Sequence, residues 1–115
     1  MKSIFLSIVL LSVALPKSIF GIPLINGVNR LAILESDSTV LVAVSTKNVF
    51  LYSDYDRIES ELSEFYKEKY KDKSLLFSFD LEVFAKVKAY NSGYLKNGEE
   101  IIQFAIKRDR KHNSA

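Results

Sequence analysis

The chain has 115 residues, sixteen lysines and arginines against fourteen aspartates and glutamates, no cysteine and a single histidine, His112. That length allows one small domain with a limited core. It leaves no disulfide, no thiolate metal site, no histidine pair for zinc, and no packed imidazole base for a serine nucleophile. The formal charge is +2, and Lys2 and Lys17 lie in the N-terminal segment, so the remainder is close to neutral and gives no global reason to expect nucleic-acid binding.

The first segment has the layout of a secretory leader: Lys2, then the uncharged run 4–15 (IFLSIVLLSVAL), then Pro16 and Lys17. A helix of that run would span about 18 Å, short of a hydrocarbon core of about 30 Å. A permanent span would have to continue through Pro16, Lys17, Gly21 and Pro23. Residues 1–21 are therefore read as a leader helix, serving as signal peptide or as uncleaved anchor; a buried N-terminal element is the other alternative. Ser12-Val13-Ala14 and Ile19-Phe20-Gly21 are weakly marked cleavage points.

Residues 22–27 (IPLING) read as a linker and turn. Residues 29–35 alternate loosely, with Leu31 and Ile33 on one face, and predict a first strand. Ser36-Asp37-Ser38 is turn chemistry. Residues 39–45 (TVLVAVS) are β-branched and nearly all apolar, as in a central strand covered on both faces. After a connector at 46–52, Ser53 is placed to cap a helix, with Asp56 three residues on. Ile58, Leu62, Phe65 and Tyr66 make one apolar stripe, extended by Tyr70. Acids crowd the first half of this helix and lysines the second, which suits its dipole.

Residues 75–79 (LLFSF) predict a third strand. Asp80 is placed to cap a second helix at 81–91, with Leu81, Phe84 and Val87 as its inner face and Asn91-Ser92-Gly93 as its stop. Residues 99–107 (EEIIQFAIK) fit two patterns. Ile102, Phe104 and Ile106 alternate like a strand, whereas Ile101, Phe104 and Ala105 fit a helix. The acidic start and basic end favour the helix.

These elements define an α+β fold: a small three-stranded mixed sheet in the order strand-strand-helix-strand-helix, with helices packed on one face. The organisation is a leader at 1–21, one domain at 22–106 and a basic flexible tail at 107–115. The densest acidic pair, Asp54 and Asp56, lacks the spaced ligands and central glycine of a calcium loop, and reads as a solvated helix start. No catalytic residue, cofactor site or metal site is assigned. Lys107, Arg108, Arg110 and Lys111 form a cluster that could touch an anionic surface, the plainer reading being a solubilising tail. The six tyrosines and eight phenylalanines offer some partner surface or the rim of a small core.

The segments 25–28 (INGV), 40–44 (VLVAV), the helix around 57–69 and 77–88 (FSFDLEVFAKVK) together resemble the sporulation lipoprotein family (YhcN/YlaJ-like). There a VAV strand precedes a charged helix, a short strand ending in a Ser/Thr-x-Asp step, and a further helix. Ser78, Asp80 and Phe84 fill the corresponding places, and 95–99 (LKNGE) is similar to the lysine-rich continuation. The resemblance covers about residues 25–100. Members carry a lipid-bearing cysteine, which this chain lacks. The element order is also similar to the BON domain of envelope proteins, associated with phospholipid surfaces. Both resemblances imply an exported, non-enzymatic envelope component, spore-associated or otherwise, that acts by binding an envelope or membrane-surface component or a protein partner. The alternative is a membrane-anchored interaction or regulatory protein, phage- or toxin-associated among the options. A minimal enzyme using Asp54 and Asp56 is a third reading.

Overall fold

The computed structural model describes residues 18–19 and 22–109. Two short strands, β1 (Ser18–Ile19) and β2 (Ile22–Pro23), pair antiparallel as a ribbon of their own, where the sequence suggested the end of a leader and the start of a linker. Strand β3 (Val28–Glu35) pairs antiparallel with β4 (Thr39–Thr46), and β4 pairs parallel with β5 (Ser74–Ser78). The main sheet therefore has the order β3-β4-β5, with β4 in the centre. Helix α1 (Tyr52–Tyr66) joins β4 to β5, because parallel neighbours need a crossover. Helices α2 (Leu81–Asn91) and α3 (Gly98–Lys107) complete the domain. The leader expected at 1–21 lies outside the described residues except for parts of the β1–β2 ribbon.

The expectation of α+β with a three-stranded mixed sheet holds; helices on one face does not. Residues of β4 alternate across the sheet. Val40, Val42 and Val44 join Ile58, Leu62 and Tyr66 of α1 in one buried cluster. Leu41 and Ala43 join Val83, Phe84 and Val87 of α2 and Ile101, Ile102 and Ala105 of α3 in another. Every residue of β4 from Val40 to Ser45 is buried. A strand apolar on both sides needs a cover on both sides, so the helices divide between the faces.

Local signals explain most boundaries. Ser36 closes the β3–β4 turn, its hydroxyl accepting from the Thr39 amide at 3.2 Å. Asp80 Oδ1 accepts from the amides of Glu82 (2.8 Å) and Val83 (3.2 Å) at the start of α2. Beyond Asn91, Gly93 takes the left-handed φ of 87° that ends the helix. The ambiguous segment 99–107 is helical: Asn97 Oδ1 accepts from the Glu100 amide at 3.1 Å and starts α3 at Gly98, one residue earlier than the acids suggested.

Two local readings fail. Ser53 does not cap α1; the cap position is Leu51, which supplies no side-chain acceptor, and Ser53 already lies in the first turn. Leu81 is not on the inner face of α2. It is 69% exposed, and Val83 takes the buried place beside Phe84 and Val87. The first residue after a cap sits on the outer side when the i, i+3, i+4 stripe begins two residues later.

Candidate functional site

The chain enters the main sheet at the end where β4 and β5 finish. Val28 at the start of β3 pairs with Thr46 at the end of β4. The Lys47 amide donates to the Gly27 carbonyl at 2.9 Å, and Arg57 Nη2 of α1 donates to the Asn26 carbonyl at 2.9 Å. Gly27 is required there: its φ is 95°, and a Cβ would lie 3.1 Å from both Ile58 Cδ1 and Val49 Cγ2. Asn48 turns the chain with a left-handed φ of 57°.

That turn leads into an exposed apolar run. Phe50 is 86% exposed, Leu51 63% and Tyr52 78%. Leu24, just before β3, and Leu81, at the first turn of α2, are exposed at the same end of the domain. Tyr52 and Tyr55 have ring centroids 6.4 Å apart, and Tyr55 meets Phe79 edge-on at 4.9 Å, so the aromatic surface runs from the start of α1 to the end of β5. Five apolar side chains left in water at one pole go beyond the scatter of single exposed residues expected on any domain.

The tail begins at the same pole. Arg108, just past α3, places its guanidinium 3.2 Å from Asp80 Oδ2 and 3.4 Å from Glu82 Oε1, and over the Phe104 ring at 5.3 Å. A shallow cavity of about 240 Å3 there is lined by Tyr52, Tyr55, Phe79, Asp80, Arg108 and Asp109, among others. Of the four basic residues singled out in the sequence, Lys107 closes α3 and Arg108 spends its charge on two carboxylates. Arg110 and Lys111 lie outside the described residues and follow directly from this pole in the sequence.

Asp54 lies 3.8 Å from Arg57, which also bonds Glu61 at 2.7 Å along α1. These are exposed helix pairs worth about 0.3–0.5 kcal/mol each. Among the described residues, no three carboxylates or histidines are grouped to hold a metal ion. The Tyr66 phenol is held above its ordinary value by burial and by the neighbouring Tyr70. No helix of the described residues is long and apolar enough to cross a membrane.

The exposed pole was missed in the sequence because 46–52 was treated as a connector. Three consecutive large apolar residues in a connector, Phe50-Leu51-Tyr52, were the available signal. The chain matches no family model, no curated protein and no solved structure. The resemblance to the sporulation lipoproteins thus rests on its motifs alone.

Proposed function

We propose that this protein is an exported, non-enzymatic component of the cell envelope that works by binding and rests against a phospholipid surface with its apolar pole. One observation carries the reading: Phe50, Leu51, Tyr52 and Leu81 are exposed at the end of the domain where the chain arrives from the uncharged run 4–15. A run held in or near a bilayer brings that pole to the interface, and amphipathic aromatic rings with basic neighbours suit headgroup depth. Arg110 and Lys111 follow Arg108 and Asp109 in the sequence, and anionic lipid attracts nearby cations by about 1 kcal/mol each. The resemblance to envelope lipoproteins points the same way, with surface contact standing in for the lipid those proteins carry on a cysteine.

The chain contains no tryptophan, so Tyr52→Trp gives a single reporter. Its emission should shift to the blue when the full chain is mixed with phosphatidylglycerol vesicles, and less with phosphatidylcholine vesicles. In cells, a tagged chain should fractionate with the envelope or outside it. Purely cytosolic material retaining Met1, together with an unshifted spectrum, would overturn the proposal.

A further inference from the structure

A second surface, independent of the apolar pole, lies along the free edge of β3. Among the described residues, the sheet order leaves this eight-residue strand paired on one side only. Its outer edge forms the floor of a groove of about 510 Å3 between the helices of the two faces. Tyr66 and Lys69, at and just beyond the end of α1, form one wall; Phe84, Lys88 and Asn91 of α2 form the other.

The floor retains its hydrogen-bonding character. Asn91 Nδ2 donates to the Ile33 carbonyl at 3.1 Å, which puts that carbonyl on the outer edge. Backbone groups of an antiparallel strand alternate between partner and outside, so Leu31, two residues away, presents its amide and carbonyl the same way. The groove also carries charge of one sign. Arg30 stacks over Phe84 with its guanidinium 5.2 Å from the ring, and Lys69 lies 5.3 Å from the Tyr70 ring. Among the described residues neither of them, nor Lys88, has a carboxylate in ion-pair range, and no acid lines the groove.

The geometry points to strand addition: an extended acidic segment of a partner protein pairs with the outer edge of β3, its carboxylates meeting Arg30 and Lys88 on the α2 side and its intervening apolar residues lying over Tyr66. Main-chain bonds supply affinity and the alternate side chains supply selectivity. A second copy of this chain fits less well, because β3 against β3 would bring the same three cations from each copy into one seam. A nucleic acid would meet the cations but leave the edge amides of Leu31 and Ile33 and the Leu31 carbonyl without partners of matching spacing.

Cations on an edge strand also serve simply to prevent aggregation, and the experiment separates the two roles. An acetylated, amidated octapeptide alternating glutamate and valine is titrated into the full chain, beside its lysine–valine counterpart. Two further glutamate–valine peptides carry backbone N-methyl groups, one at the glutamates and one at the valines. The parent should bind at least tenfold more tightly than the lysine peptide. One methylated peptide should lose binding while the other keeps it, because only alternate amides face the edge. Exchange of the Leu31 and Ile33 amides should slow on binding. Arg30→Gln with Lys88→Gln should weaken binding at least tenfold without unfolding the domain. Equal binding of acidic and basic peptides, retention of binding by both methylated forms, or no binding below millimolar concentration would each overturn strand addition. A peptide-independent dimer that already protects Leu31 and Ile33 would overturn it in favour of a second copy.

Discussion

On one side of β4, Val40, Val42 and Val44 stand beneath a single helix of 15 residues, α1, whose Ile58, Leu62 and Tyr66 are large. On the other side, Leu41 with Ala32 and Ala43 meets two shorter helices, α2 and α3. Small residues in the strands let two helices pack side by side, whereas valines under bulky side chains hold one helix over the whole face. The ends of the helices differ in the same sense. Helices α2 and α3 each begin with a side-chain cap, Asp80 and Asn97; α1 begins at Leu51 with none. The two short helices are held by their caps as well as by packing, while α1 depends on its buried stripe. Short helices gain little from propensity alone, so caps matter most where length is least.

The largest test removes buried volume on each face. Leu62→Ala should cost about 2–5 kcal/mol in urea unfolding, and Ile102→Ala a value toward the lower end of that range. Phe104 and Tyr90 pack against the α2–α3 cluster only half-buried and can lean into a void; α1 has no second helix to do so. The reverse order would show that the two-helix face is the less adaptable one.

The caps come next. Asp80→Ala should cost about 1–2 kcal/mol, since it removes two amide bonds and the partner of Arg108. Asn97→Ala should cost about 1 kcal/mol. Ser53→Ala, at the position that only imitates a cap, should stay within about 0.5 kcal/mol. Thermal melting of the three variants ranks them directly; a loss at Ser53 equal to that at Asp80 would mean that α1 is capped after all.

The smallest effect is one of pH. Tyr66 in the α1 face favours its neutral phenol, because burial and Tyr70 raise it above the ordinary value of 10.0. The folded chain therefore holds this proton more tightly than the unfolded chain. The contribution is fully present below pH 10 and fades as pH rises through the folded value. Tyr66→Phe should flatten the stability profile above pH 10 while leaving neutral pH little changed, readable by circular dichroism during alkaline titration. An unchanged profile would place the alkaline sensitivity elsewhere.

Much of this was legible in the amino acids. The stripe of Ile58, Leu62 and Tyr66, the apolar run of β4, the Ser36 turn, the Asp80 cap and the Gly93 stop follow from periodicity and local hydrogen bonding, and each rests on residues a few positions apart. The candidate surfaces were far less visible. Phe50 to Tyr52 looked like a connector because exposure is not written in composition, and Arg30, Lys69 and Lys88 are scattered along the chain with nothing to mark them as neighbours.

The sequence by itself determined most of the element types, the β1–β2 ribbon and the two-way pattern of 99–107 excepted, and the central place of β4, since a strand apolar at every interior position has to be covered on both sides. Only the tertiary structure decided which helix went to which face. It also brought Arg30, Lys69 and Lys88 to one edge and gathered the exposed apolar residues, the incoming chain and Arg108 at one pole. Those choices depend on strand register and on the volumes that fit between layers, which no run of neighbouring residues records.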